Sequence, residues 1–243
     1  KDQMGKIIYV GKAIDLNRRV ASYFSNTPLR VGDHKTVALV EEIREVETII
    51  VQSEIEALIL EANLIKKYLP RFNVRLTDDQ DYLYIGVSKD YLPKVIILRK
   101  QDLKIVKKYW GPYPSGTTVR NTIKTLRRIF PWSNNPPKVD LVKSAKGKVQ
   151  SYRACFYYHI GLCPGVCVGL ISKQDYHQII KNFSRFLDGK KEELLQDLFQ
   201  EMEQLSDQQK FEEAAKVKRT IDGINYLTQN TKVKSYLEKG GAV

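Results

Sequence analysis

The chain has 243 residues, 42% of them hydrophobic, and carries 40 Lys+Arg against 28 Asp+Glu, a formal net charge of +12. That length suits two or three modules with cores of their own, and the basic surplus asks for an acidic partner, either nucleic acid or an anionic membrane face. No apolar run approaches the ~18 residues of a membrane span, and no segment reads as a signal peptide. Cys155, Cys163 and Cys167, an odd number crowded together, do not make a secreted disulfide frame. The expectation is a cytoplasmic protein that binds nucleic acid and makes no membrane contact.

In chain order, residues 6–10 are β-branched and aromatic and predict a buried strand. Asp15 is placed to cap a helix through Leu16, Val20 and Phe24, which Asn26-Thr27-Pro28 ends. A second helical pattern runs from Thr36 to Ile43, Val46–Val51 reads as a strand, and Ser53-Glu54-Ile55-Glu56 opens a third helix that stops at Tyr68 before Pro70. This predicts a compact α/β unit over 1–75. The pattern changes at Thr77-Asp78-Asp79. Tyr82–Val87 and Val95–Leu98 predict strands, Tyr109–Gly116 is aromatic and turn-rich, and Thr117 or Thr118 can cap a basic helix whose apolar face is Val119, Ile123, Leu126 and Phe130. Residues 136–150 read as a mobile basic loop. After the cysteines, Ser172–Leu187 predicts a helix with Gly189 as terminator. Two further amphipathic patterns, through Leu195–Leu205 and Phe211–Ile224, predict an antiparallel helical hairpin over 191–230, followed by a flexible tail at 231–243.

The chemistry concentrates near the start, in Tyr9-Val10-Gly11-Lys12-Ala13, Arg18-Arg19 and Tyr23. Phenol, ammonium and guanidinium around a strand-to-helix junction suit a phosphodiester, because lysine and arginine neutralise phosphate charge and arginine can grip two oxygens. A tyrosine beside cations gives up its proton more readily than an isolated one. Arg19 and Tyr23, four residues apart, share a helix face, while Arg18 points about a hundred degrees away. Glu56 has two readings: Ser53-x-x-Glu56 is a capping box, and the same carboxylate can hold a divalent cation. Glu54 and Glu61 read as solvent-face charges.

Taken together, Ile8-Tyr9-Val10-Gly11-Lys12-Ala13, Arg19, Tyr23 and Glu56 within Ser53–Leu58 resemble the GIY-YIG nuclease domain of the UvrC family, incision subunits of bacterial nucleotide excision repair. The resemblance continues through Glu61–Lys66, Pro70–Val74, Gly111-Pro112-Tyr113, Ile129-Phe130-Pro131, the cysteine segment Cys155–Gly169 and the Phe211–Ala215 stretch of a UVR hairpin. It implies an α+β fold with a small nuclease domain of mixed sheet flanked by helices (1–75), an α+β middle region (76–190) and a UVR hairpin (191–230). The family's Gly-Val-Tyr strand does not precede Tyr9 here, and no second nuclease domain follows, so the chain looks like an N-terminal half or a trimmed chain.

The resemblance implies metal-dependent hydrolysis of damaged double-stranded DNA on the 3′ side of a lesion, with UvrB as docking partner. Tyr9 and Lys12 would prepare the water, Arg19 with Tyr23 would meet developing charge, and Glu56 would hold Mg2+ or Mn2+. Arg18, Asn73, Arg120, Lys124, Arg127 and Arg128 are the expected DNA contacts, and Phe211, Ala214 and Ala215 the expected partner contacts. For Asn73, turn chemistry after Pro70 is the alternative. Cys155, Cys163 and Cys167, with His159, read as an iron–sulfur or zinc site or as a degenerate set of thiols, since the fourth cysteine of the family pattern is absent. Two other functions stand beside this one: a UvrB- and DNA-binding module that does not cut, and a GIY-YIG enzyme acting on branched or undamaged DNA.

Overall fold

The computed structural model describes residues 1–24, 34–74, 82–113, 115–134 and 153–229. The expected helix stop at Asn26–Pro28, the boundary at Thr77–Asp79, the basic loop at 136–150 and the tail at 231–243 lie outside them. Packing divides the chain into two units, Lys1–Tyr82 together with the residues from Thr228 on, and Leu83–Leu227.

In the first unit the Asp15 carboxylate accepts the Arg18 N–H at 2.9 Å and starts α1 (Leu16–Phe24). Helix α2 is His34–Glu42. Ser53 caps α3 (Glu54–Tyr68), which ends where Leu69 turns to φ 46°, and the short α4 (Arg71–Val74) follows. Ile8, Leu39 and Phe72 form the core, with Tyr9, Tyr23, Ala38 and Ile43 packed against it.

The strands expected at 6–10 and 46–51 are not formed: no strand is assigned in the described residues of this unit, and no backbone hydrogen bond joins the two segments. Propensity makes a segment fit for a sheet, but a ladder also needs a partner chain alongside. Here the partner of 6–10 is α4. The Phe72 N–H donates to the Ile8 carbonyl at 3.1 Å, and Asn73 takes both polar groups of Val10. Residues 44–50 are exposed, and their segment meets the N-terminus through the Arg44 N–H on the Lys1 carbonyl at 2.8 Å.

The α+β class stands, with its sheet in the second unit. Strands β1 (Leu83–Ser88), β2 (Val95–Leu98) and β3 (Val106–Tyr113) form an antiparallel sheet in the order β2-β1-β3. The aromatic segment expected to be turn-rich is therefore partly strand. Trp110 pairs with Ile85, and a register shift falls where Gly111 at φ 122° and Pro112 bend the strand. At Gly86 a Cβ would sit 2.7 Å from the Leu98 and Val106 side chains, so glycine keeps the central strand in place. Ser115, and not the expected Thr117 or Thr118, caps α5 (Gly116–Ile129) by accepting the Thr118 N–H at 3.2 Å.

Helix α6 (Phe156–His159) is a single turn, and α7 (Lys173–Leu187) is capped by Ser172 and followed by Gly189 at φ 79°. Helices α8 (Lys191–Asp207) and α9 (Phe211–Gln229) follow, joined by a turn in which Gln209 takes φ 59°. The core is aromatic. The Phe183 ring lies 5.3 Å from Trp132, 5.9 Å from Trp110 and 6.3 Å from Phe130. Its polar edges are satisfied: Trp110 Nε1 donates to Asp188 Oδ1 at 3.0 Å, and Tyr176 Oη donates to the Pro93 carbonyl at 2.7 Å. Burial pushes the Tyr176 hydroxyl up to about 12, which keeps it a donor. No helix among the described residues is long and apolar enough to cross a membrane.

Candidate active site

Tyr9, Lys12, Arg19 and Tyr23 line one cleft of the first unit, with a volume of 390 Å³. Glycine at 11 permits this, because a Cβ there would sit 2.8 Å from the Tyr9 hydroxyl that folds back over it. Position 10 is fixed by Asn73, whose Oδ1 accepts the Val10 N–H and whose Nδ2 donates to the Val10 carbonyl, both at 2.8 Å. Asn73 is buried and its amide is engaged at both ends. The expected DNA contact is thus corrected to a backbone clamp that sets the approach of Tyr9 and Lys12.

Helix α1 brings Arg19 and Tyr23 to the same place. Tyr23 Oη donates to Tyr9 Oη at 3.1 Å, the rings meet edge-on at 6.0 Å, and the Arg19 guanidinium lies 5.1 Å from the Tyr23 ring centroid. Burial alone would weaken the Arg19 cation, yet hydrogen bonding to the Tyr9 and Tyr23 hydroxyls raises its hold on the proton on balance. Burial first, and then Tyr9, push the Tyr23 hydroxyl well above the ordinary tyrosine value despite Arg19. Tyr23 is a proton-bearing donor toward Tyr9. Arg18, one position along, is exposed and outside the cleft lining.

The carboxylates exchange places relative to expectation. Glu56 makes the capping box: its N–H donates to Ser53 Oγ and its Oε2 accepts the Gln52 N–H, both at 3.0 Å. It does not line the cleft, whereas Glu61 does. Glu61, expected on the solvent face, is 8% exposed. Its Oε1 accepts the Lys12 N–H at 3.1 Å, and its Oε2 is buried without a hydrogen-bond partner. Burial pushes this carboxyl above the usual range, with Lys12 and Arg19 opposing that rise. The Lys12 ammonium itself pairs with Glu54 Oε1 at 3.1 Å.

The signal for Glu61 is present in the helix period. Leu58, Ala62 and Ile65 are the buried stripe of α3, and Glu61 sits beside it. At about a hundred degrees per residue, Glu56 lies about 140° round the helix from Glu61, so the two cannot face one cleft. A buried carboxylate with one unpartnered oxygen, beside a lysine backbone and an arginine, is the donor set of a site for one oxygen-seeking divalent cation. Of the two carboxylates, Glu56 is occupied by the helix start and Glu61 lines the cleft.

In the second unit Arg120, Lys124 and Arg128 are exposed along one face of α5. Arg127 is not available to phosphate: it is buried, donates Nε to the Leu162 carbonyl and Nη2 to the Trp132 carbonyl, both at 3.0 Å, and stacks 4.4 Å from the Tyr157 centroid. It ties the cysteine segment to α5.

Cys155 is exposed, Cys163 buried and Cys167 half-buried, all as free thiols. Burial, then Cys163 and Cys155, push the Cys167 thiol up. Among the described residues no group of three His, Cys, Asp or Glu stands where it could hold a metal ion, and His159 packs against the edge of Tyr158 instead. In the hairpin, Phe211 and Ala215 are exposed and Ala214 is buried, as are Ile221 and Ile224.

Three family models match in order: the UvrC-like GIY-YIG domain over residues 1–74, the middle domain of the UvrC/Cho excinuclease over 82–186, and the UvrB/uvrC motif over 192–227. Among curated relatives, the UvrABC system protein C of Caldanaerobacter subterraneus subsp. tengcongensis is 43% identical over 98% of this chain and 37% of its own length. The UvrABC system protein C of Clostridium acetobutylicum is 40% identical over 96% of the chain and 36% of its own length, and that of Synechocystis is 36% identical over the same shares, 96% and 36%. The chain thus spans a little over a third of the curated relatives it matches. No solved structure matches it. With the Tyr9–Tyr23–Arg19 cleft, the ordered family matches and collinear identity across almost its whole length, the chain belongs to the UvrC family.

Proposed function

We propose that the chain is the metal-dependent endonuclease portion of a nucleotide excision repair incision subunit, cutting damaged double-stranded DNA on the 3′ side of a lesion while docked on UvrB. The carrying observation is the buried Glu61 carboxylate, which lines the cleft that holds Tyr9, Tyr23 and Arg19 and has one oxygen, Oε2, without a hydrogen-bond partner. Tyr9, acting as the phenolate after its own proton has passed to solvent, takes a proton from the attacking water, and Tyr23 Oη donates to that same phenol oxygen and holds it in place. The Arg19 guanidinium meets the charge that develops on the phosphoryl oxygens. Lys12 and Asn73 position this group: one binds Glu61 through its backbone, the other holds Val10. Glu61 would hold Mg2+ or Mn2+, which supplies Lewis-acid stabilisation of phosphoryl oxygen charge.

The test is nicking of a lesion-containing duplex bound to UvrB, with the divalent cation or with chelator. Lesion-dependent, cation-dependent nicks that vanish in Glu61→Gln and Arg19→Ala support the reading, and a Glu61→Gln variant that nicks at the wild-type rate overturns it. The unpaired segments at 6–10 and 46–51 favour a second reading, a UvrB- and DNA-binding module that does not cut. It predicts docking with no nicks under any cation. Nicking without lesion preference would instead favour a GIY-YIG enzyme of broader substrate range.

A further inference from the structure

Four consecutive or near-consecutive apolar and aromatic side chains of the second unit face water outside its sheet. Helix α6 and the residue after it present Phe156, Tyr157, Tyr158 and Ile160, and all four are exposed, Phe156 by 71%. Water-facing aromatics in a row need an occupant. These rings are also held from beneath. Tyr157 rests on the buried Arg127 guanidinium at 4.4 Å, and its carbonyl accepts the Leu162 N–H at 2.8 Å. Tyr158 lies over Gly165, where a Cβ would come within 3.0 Å of its ring and the backbone has φ 79°. Phe156 meets Tyr157 edge-on at 6.1 Å.

Charge identifies the occupant. Arg127 belongs to α5, the helix whose exposed face carries Arg120, Lys124 and Arg128 at intervals of one turn. That basic row ends one residue beyond the arginine on which Tyr157 rests. A row of cations and exposed π-faces on helices joined through one arginine are the two features that bind a single nucleic-acid strand: cations follow the phosphates, and bases stack on rings whatever their sequence.

We propose that α6 is a stacking platform for unpaired bases of an opened DNA strand, with Arg120, Lys124 and Arg128 as the phosphate rail that leads to it. The proposal rests on the reading of the chain as a DNA-acting protein, and it narrows the DNA contacted by this unit to a strand whose bases are exposed. It makes no use of the Glu61 cleft.

The test uses the 243-residue chain, an oligo-dT strand bearing one 2-aminopurine, and the matching duplex. It is run in chelator, so binding is read without strand cleavage and a failure here is separate from a failure of the nuclease reading. The wild type binds the single strand more tightly than the duplex and quenches the 2-aminopurine. Phe156→Ala and Tyr158→Ala each weaken single-strand binding about tenfold or more and relieve the quench. Arg120→Ala/Lys124→Ala/Arg128→Ala weakens binding to both substrates and flattens the salt response. Phe156 is exposed, so its truncation leaves the core intact and decides the matter even if Tyr158→Ala disturbs the turn at Gly165. Unchanged single-strand affinity and quench in Phe156→Ala, or a wild type that prefers duplex, overturns the proposal. So does a concentration-dependent dimer that Phe156→Ala abolishes, since the face would then belong to a second copy.

Discussion

Glu61 and Lys12 meet through a backbone bond: one carboxylate oxygen accepts the Lys12 N–H at 3.1 Å, while the other is buried without a partner. The arrangement is costly for the fold and useful for chemistry. Burial raises this carboxyl, so the folded chain holds its ionised form less well than the unfolded chain does. The associated stability is fully present below the ordinary glutamate range, where the group is neutral in both states. It is lost as pH rises through the shifted value. Glu61→Gln keeps an acceptor for Lys12 and removes the buried charge. Its melting temperature should exceed the wild-type value at neutral pH, and the gain should shrink toward zero as pH falls below the ordinary range. Nicking should be lost. Thermal melts from acid to neutral pH check this, and equal or lower stability of Glu61→Gln at neutral pH would contradict the burial argument.

The same oxygen predicts a cation effect without any DNA present. A ligand that binds only the folded state stabilises by about 2.7 kcal/mol when its concentration is a hundred times Kd. Mn2+ or Mg2+ should therefore raise the melting temperature of the wild type and leave Glu61→Gln unmoved. Glu56→Ala should respond to the cation like the wild type, from a baseline lowered by about 1 kcal/mol for the lost cap. If Glu56→Ala abolishes the shift and Glu61→Gln retains it, the roles given to the two carboxylates are reversed.

Asn73 is the third group on which the cleft depends, and it acts at a distance from the chemistry. Asn73→Ala strands the N–H and carbonyl of the half-buried Val10, a loss of about 1 kcal/mol or more for each group left unpaired. Asn73→Asp keeps the acceptor and loses the donor, so it should fall between the wild type and Asn73→Ala in stability. Denaturant titration checks the order. A mere surface contact with DNA would leave all three equally stable.

Tyr23→Phe isolates one hydrogen bond. The ring that packs on Tyr9 and faces Arg19 stays, and only the 3.1 Å donation to Tyr9 Oη is removed. Nicking should fall about tenfold, the worth of one such bond. Tyr9→Phe should lose about a hundredfold or more, as expected for a proton acceptor. Single-turnover rates with saturating cation distinguish the two, and equal losses would argue that both phenols act as one unit.

How much of this was legible in the sequence depends on whether a signal is local. Leu16–Phe24 carries its own cap in Asp15 and was readable, as were Leu83–Ser88 and Val95–Leu98, whose runs of β-branched and aromatic residues pair with one another. The stretch at 46–51 has the same composition, but its pairing depends on another segment alongside, which no local pattern reports. The Tyr9, Arg19 and Tyr23 group was legible because Gly11 and a four-residue helical step bring it together. Glu61 was misread because Ser53-x-x-Glu56 is a strong local motif with two meanings, and the capping meaning is the one the fold uses. The decisive signal was the Leu58–Ala62–Ile65 stripe, which places Glu61 and not Glu56 on the buried side. Asn73 and Arg127 look like ligand contacts in the sequence because polar residues in a basic chain invite that reading. Their backbone partners, Val10, Leu162 and Trp132, are set only by tertiary structure.

The adjacent arginines of α5 give the sharpest contrast between support and binding. Arg127→Met keeps much of the side-chain volume but leaves the Leu162 and Trp132 carbonyls without their donor, and it removes the cation beneath Tyr157. It should destabilise the chain by about 2–4 kcal/mol, since two partly buried acceptors lose charged donors. It should also free the Cys163–Cys167 turn, so that Cys163, buried in the wild type, reacts with a thiol reagent in the native state. Arg128→Met, one residue on and exposed, should leave stability within about 0.5 kcal/mol and Cys163 protected. Its effect should appear in DNA binding, where removing one phosphate contact lowers the slope of log K against log salt by about 0.7 to 0.9. Urea titration, native-state thiol labelling and a salt series on the two variants separate the roles. An Arg127→Met chain that keeps Cys163 protected and loses only salt dependence would return Arg127 to the DNA-contacting set.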